Sequence, residues 1–226
     1  MSIYLTINLL SISIPFIAGF DRKLKFYRQW KYLFPAMLLT MVLFIPWDVI
    51  FTDRAVWGFT PKYLSGIDLI NLPIEEWLFF ICIPYACIFT YESLNYLVKK
   101  DFLKKYVGAI NYSLMAILGI LAIIFHDRIY TFVTFTLMTL LLALQQLVIK
   151  GKYLGRFYFS FLFVLIPFFI VNGVLTGSLI DDQVVWYDNT ENMGIRMFTI
   201  PLEDSVYALL MLMMNVSIYE YLKKIY

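Results

Sequence analysis

Charge is what this sequence has least of. Only 15% of its residues are charged, against about 25% in soluble globular domains. The balance is nearly neutral, at +2, and no basic patch interleaves with base-stacking aromatics, so no nucleic-acid partner is expected. Its two cysteines, Cys82 and Cys87, share one apolar run without a Cys-x-x-Cys spacing and read as small packing residues. Histidine occurs once, as His126 in a short connection, so the ligands for a zinc or haem site are missing. A glycine-rich G-x-G-x-x-G turn is absent too, which removes the dinucleotide fingerprint. The one Asp-Asp pair, Asp181-Asp182, stands in a polar loop without a second pair to share a metal diphosphate. No metal and no cofactor is expected. The N-terminus has no basic segment ahead of its first apolar run and no small-residue cleavage signal, so Ile3 to Phe20 reads as a retained helix.

What is abundant is apolar surface: 62% of the 226 residues are hydrophobic and 19% aromatic. Apolar runs of about 20 residues are the length needed to cross a ~30 Å hydrocarbon layer. Seven occur, over 3–20, 32–51, 73–92, 107–125, 129–149, 157–177 and 199–222. Pro15, Pro35, Pro46, Pro84 and Pro167 fall within them, which membrane helices tolerate where neighbours satisfy the freed carbonyls. The fold class is therefore all-α, a polytopic bundle of seven transmembrane helices in a lipid bilayer. Basic residues set the orientation. Of 18, the group Arg22, Lys23, Lys25, Arg28, Lys31, Lys99, Lys100, Lys104, Lys105, Lys150, Lys152, Arg156, Lys223 and Lys224 lies on one side. That side is cytoplasmic, with the N-terminus outside, the C-terminus inside, and a bacterial cytoplasmic membrane as the expected location.

The chain repeats itself at an offset of 128. Gly66-Ile67 matches Gly194-Ile195, Pro73 matches Pro201, Glu75 matches Glu203, and Tyr91-Glu92 matches Tyr219-Glu220. More loosely, Asp48 and Asn172 each end a span, and Trp57 and Trp186 each lie in the connection that follows. An offset of four spans restores the direction of the chain, so the repeats are parallel and related by an axis along the membrane normal. The division expected is a three-helix repeat over 1–95, a linker helix in 96–127 and a second three-helix repeat over 128–226. Both acidic motifs then reach the same membrane face.

Those motifs are Pro73-Ile-Glu75-Glu76 and Pro201-Leu-Glu203-Asp204, each at the mouth of an apolar span. A central charge in a membrane helix costs roughly 2.5–3.5 kcal/mol on insertion scales, so two acidic pairs ask for a reason. Proline at the first helical position would be pre-organised there, with Glu75 and Glu203 in the first turn. A helix N-terminus favours the ionised carboxylate, by up to about 2 kcal/mol. Desolvation and a neighbouring carboxyl favour the neutral acid. In a wet cleft the acids merely cap their helices; in a dry one, some hold a proton. A neutral acid can protonate an electron-rich alkene, and a nearby carboxylate can take a proton from the cation. Aromatic faces stabilise cations, and Trp47, Trp57, Trp77, Phe79, Phe80, Trp186 and Tyr207 lie in the same half. Asp48 and Asn172 end spans on that face and are supporting candidates. Tyr91-Glu92 and Tyr219-Glu220 lie roughly 25 Å further along their helices and are expected to anchor against lysines.

Two Pro-x-Glu-(Glu/Asp) motifs in tandem three-helix units resemble the heterodimeric-type lycopene cyclases, here with the halves fused. Asn172-Gly-Val-Leu-Thr176 is similar to that family's second half as well. The resemblance implies conversion of the acyclic ψ ends of lycopene to β-ionone rings without net redox change, giving β-carotene by way of γ-carotene. It implies Glu75, Glu76, Glu203 and Asp204 as the motif acids, without saying which donates and which accepts. The residues named beside them are Asp48, Asn172, Pro73, Pro201, Trp47, Phe79 and Tyr207. The implied partner is a lipophilic acyclic carotenoid, and the oligomeric state is left open. A carotenoid hydratase, in which water captures the same cation, is the rival enzyme; a proton-coupled transporter is the rival of another class.

Overall fold

The computed structural model describes residues 2–226. Seven α-helices account for the apolar runs: α1 Ile3–Ala18, α2 Trp30–Asp53, α3 Ile74–Leu97, α4 Val107–Ile124, α5 Ile129–Leu144, α6 Leu154–Leu175 and α7 Leu202–Ile225. A π turn, Gln145–Ile149, extends α5. Six of these segments are long and apolar enough to cross a membrane, and α1 is shorter. The protein is an all-α polytopic bundle. Helices α3 and α7 run on to Leu97 and Ile225, past the apolar limits at 92 and 222. Tyrosine and lysine stems can follow the apolar surface while their polar tips reach water. Hydropathy marks the greasy zone, whereas the helix ends where its hydrogen-bond ladder does.

The helices pair in two corresponding ways. Helix α1 packs on α3 and α5 packs on α7; α6 then lies on α3 and α2 on α7. Each half therefore lends its middle helix to the other's motif helix. Helix α4 packs mainly on α5, outside this arrangement. The buried interior is aliphatic and aromatic, with Leu33, Phe44, Phe80, Ile88, Met138, Leu142, Met213 and Tyr219 at or near zero exposure. At the far end from the acidic motifs, Lys223 Nζ meets Glu92 at 2.8 Å and Tyr91 donates to Glu220 at 2.8 Å. The two Tyr-Glu pairs thus cross-link α3 to α7, and only Glu92 engages a lysine as anticipated.

Three two-stranded pairs, too short to leave a periodic pattern, fold the connections at the motif end. Strand β1 (Trp57–Phe59) pairs antiparallel with β4 (Val185–Tyr187). Strands β2 (Asp68–Leu69) and β3 (Leu72–Pro73) form one hairpin, and β5 (Arg196–Met197) with β6 (Ile200–Pro201) forms its counterpart. Both hairpins put Gly66 and Gly194, and also Ile70 and Phe198, at positive φ. In both, the backbone N–H just after the proline returns to the same carbonyl, Ile74 to Ile67 and Leu202 to Ile195. This corrects the expected helix start. Pro73 and Pro201 are extended, at ψ 146° and 140°, and end a strand; they precede the first helical residue instead of being it. The hairpin holds the proline in its ladder, so the helix begins one residue later.

Trp57 and Trp186, matched loosely as residues of corresponding connections, lie in β1 and β4, which pair with each other. Register places Trp57 opposite Tyr187 and Gly58 opposite Trp186. Trp186 is part-exposed and lies across Gly58, where a Cβ would overlap its ring. Gly58→Ala is expected to cost about 1–3 kcal/mol, the usual range for overpacking. A lower thermal unfolding midpoint in detergent, with helix content unchanged beforehand, is the measurement that checks it.

Candidate active site

Each motif places two acids one residue apart at the start of a helix, so their side chains leave it about 100° apart around the axis. The outer member of each pair holds local structure. Glu75 Oε1 accepts from the Ser65 N–H at 2.7 Å and from Ser2 Oγ at 2.6 Å. Glu203 Oε1 accepts from the Met193 N–H at 2.8 Å and from Thr131 Oγ1 at 2.5 Å. Both are fully buried, and both tie the first turn of a neighbouring helix and the incoming loop to the motif. Neither lines the cavity described next.

The inner members, Glu76 and Asp204, line one cavity of about 250 Å³ and are joined there by Asp48. Exposure of the three is 8%, 6% and 2%. Asp48 Oδ1 accepts from Trp57 Nε1 at 2.6 Å, while its Oδ2 is buried without a hydrogen-bond partner in the cleft that Glu76 also lines. Tyr4 donates to Glu76 Oε2. Asp204 receives Tyr130 on Oδ1 at 2.6 Å and Tyr187 on Oδ2 at 3.0 Å. Burial and the adjacent Asp204 push the Tyr187 phenol well above its usual range, which keeps it a donor. No lysine or arginine lines the cavity. Arg196 stacks on the Tyr187 ring at 5.8 Å and donates to the Thr199 carbonyl and Asn189 instead.

From these carboxyls the cavity continues as a groove over α3, between α1 and α6, with Tyr207, Ala208, Met211 and Leu212 of α7 also lining it. Its floor is Glu76, Phe79, Ile83, Ala86, Cys87 and Thr90, helical spacing that covers about 21 Å at 1.5 Å per residue. Pro15 and Ser11 form one wall; Val164, Pro167, Phe168, Val171 and Asn172 form the other. Apart from the carboxyls and their donors, the lining is mostly apolar. Trp57, Phe79 and Tyr207 present aromatic surface to it, with Tyr4, Tyr130, Tyr187, Phe59 and Phe168.

The residues expected from sequence therefore divide. Glu76, Asp204, Asp48, Asn172, Phe79 and Tyr207 come together at the cavity. Glu75, Glu203, Pro73 and Pro201 stand behind it. Trp47 is buried against Tyr207, ring centres 5.0 Å apart, and does not reach the space; Trp77, Phe80 and Trp186 do not either. Tyr4, Tyr130 and Tyr187 were not anticipated. A signal existed for two of them, since Ile3-Tyr4 and Ile129-Tyr130 open α1 and α5 at the same position. Tyr187 is legible only once the β1–β4 register is known. Among the described residues, no cluster of His, Cys, Asp and Glu could hold a metal ion.

A polytopic helical protein with three carboxyls buried at the head of an apolar groove is the class this architecture defines. The family model described as Lycopene cyclase matches residues 1–94 and 127–222, and the chain belongs to that family. It is also similar to a protein of Aspergillus oryzae (strain ATCC 42149 / RIB 40) named bifunctional lycopene cyclase/phytoene synthase. The two are 27% identical over 107 residues, which is 44% of this chain and 18% of that protein. The chain thus spans a small part of that relative's length. No solved structure matches.

Replacing Glu75 or Glu203 by alanine removes the acceptor of a loop N–H and of a hydroxyl together. Each change is expected to cost about 1–3 kcal/mol, the penalty for orphaning buried donors. Thermal unfolding reads the cost, and faster proteolysis within 60–72 or 190–200 localises it.

Proposed function

We propose that the chain is a lycopene cyclase in activity as well as in family, an isomerase that closes the acyclic ends of a carotene by acid and base work alone. The observation that supports this best is the meeting of Asp48, Glu76 and Asp204 at the closed head of a greasy groove without a cation among the lining residues. Asp48 and Glu76 hold one proton between them, because two carboxyls buried in the same cleft keep one more readily than they both carry charge. Asp204, with both oxygens accepting from phenols, is arranged as the carboxylate.

The pair gives its proton to the terminal double bond of the bound end. The tertiary cation formed is attacked by the electrons of the nearby internal double bond, which makes the ring bond and moves the charge to a ring carbon. Asp204 removes a proton next to that carbon, and the electron pair left behind restores a double bond. One proton enters and one leaves, so there is no net redox change; Asp204 gives its proton to solvent and the pair takes one from solvent between turnovers, which resets the site. The faces of Trp57, Phe79 and Tyr207 attract the passing cation. Water would capture the same cation as an alcohol, the hydratase outcome, and the apolar lining disfavours it. In this reading Glu75 and Glu203 position the motif helices.

The rest of the proposal follows the chain's plan. The units are 1–95 and 128–226 with a linker in 96–127, and the matching bounds of α1–α3 and α5–α7 support that division. The acids face the outer side of a bacterial cytoplasmic membrane, with the C-terminus inside, as the lysine-rich connections suggest. The substrate comes from the lipid phase.

Expression in cells that accumulate lycopene, with pigments read by chromatography and mass, tests the activity. Ring products are expected from the native chain, and hydroxylated products would point to the hydratase. Asp48→Asn, Glu76→Gln and Asp204→Asn should each lower ring formation by about 10²–10⁴, the share usual for general acid or base catalysis. Native-like insertion and unfolding midpoints in those variants separate loss of chemistry from loss of fold. In D2O each ring should gain one deuterium and lose one hydrogen, a mass increase of one unit per ring.

A further inference from the structure

The two halves share a plan, but their spaces differ. Corresponding helices align at fixed offsets: α1 with α5 at 126, α2 with α6 at 124, α3 with α7 at 128. The offset of 124 is supported by Asp48–Thr52 and Asn172–Thr176, which place a threonine hydroxyl one turn after the polar residue and bonded back to it in both copies. The groove over α3 therefore has a counterpart over α7, walled by α5 and α2.

At four of the counterpart positions the side chains are larger, while others, such as Phe168 and Phe44, are alike. Val171 on the groove wall becomes Trp47, and Leu175 becomes Phe51. Ala86 on the floor becomes Met214, and Ser11 on the opposite wall becomes Leu137. Trp47 and Phe51 are 6% and 4% exposed. Trp47 lies 5.0 Å from the Tyr207 ring and Phe51 lies 4.9 Å from Trp57. The Trp47 Nε1 is buried with no acceptor, a penalty that comes with filling this space by so large a ring. Asp204, Tyr207 and Met211, which match Glu76, Phe79 and Ile83, line the cavity already described. Trp47 and Phe51 fill the remainder of the counterpart, so it is plugged from within and forms no second groove.

The open groove measures about 21 Å from Glu76 to Thr90. A 40-carbon acyclic polyene, with about 31 main-chain bonds, extends about 35 Å at the rise per bond of an extended chain. Its second end therefore lies far from the carboxyls while the first is at them. An end-for-end reversal inside a groove between packed helices has no room, and a chain longer than the ~30 Å hydrocarbon layer has to leave before it turns.

We infer that the protein has one productive groove and closes one chain end per binding event, releasing the monocyclic product to the bilayer before the other end can react. This inference rests on the cyclase reading. Native protein in liposomes is given labelled lycopene for a short pulse, then an excess of unlabelled lycopene. Label held in the monocyclic product, with labelled bicyclic product falling in proportion to the excess, is the expected result. Label passing to the bicyclic product undiluted by the chase overturns the inference and leaves the cyclase reading standing. No ring product in the unchased control overturns both, so the two failures are distinct. Binding stoichiometry reads the same claim without turnover: one polyene per chain is expected, and two would contradict a plugged counterpart.

Discussion

The burial of three carboxyls without a compensating cation is the constraint that organises the motif end of this protein. An unpaired charge taken out of water costs several kcal/mol even after relaxation, and three in one cleft could not be carried as bare ions. Every neighbour of the cluster is fitted to that problem. Tyr4, Trp57, Tyr130 and Tyr187 are hydrogen-bond donors without charge, each aimed at a carboxyl oxygen. Arg196 lies against the Tyr187 ring and is committed to backbone and amide partners. A cation inside would hold all the carboxyls ionised and leave no proton to give.

The paired motif solves a second problem, that of holding such a cluster steady at a helix mouth. One acid of each pair faces back and secures the loop and the adjoining helix; the next faces in. The hairpins with their proline ladders fix where each helix begins, and so fix the 100° step between the two side chains. Exchange of middle helices between the halves then brings Asp48, on α2, beside Glu76, on α3, and opposite Asp204, on α7. No three consecutive helices contain the site.

Much of the fold was legible in hydropathy, since a helix that crosses a membrane is dictated by length and apolarity. The seven runs became seven helices, with differences of a few residues at the ends, the largest where α3 continues past its apolar limit. The repeat was legible too, in Pro73 and Pro201 and their acids. The inward or outward sense of each acid was not, because adjacent glutamates look alike until the start of the helix is fixed to one residue. Trp57 and Trp186 matched by position in the connection, yet of the two only Trp57 lines the cavity, where Tyr187 joins it. The plug was equally silent: Trp47 reads as one more aromatic beside the motif acids until Val171 is seen in the corresponding place. Such features depend on register and packing across distant segments, which a single chain of letters does not display.

The account depends most on a proton resident between Asp48 and Glu76 in the membrane-embedded protein. Infrared difference spectroscopy of the protein in lipid, exchanged between H2O and D2O at neutral pH, detects that proton as the carbonyl stretch of a neutral carboxylic acid. The band should be present in the native chain, lost in Asp48→Asn and in Glu76→Gln, and retained in Asp204→Asn. Absence of a protonated carboxyl from the native protein, or its survival in both of the first two variants, would contradict the account.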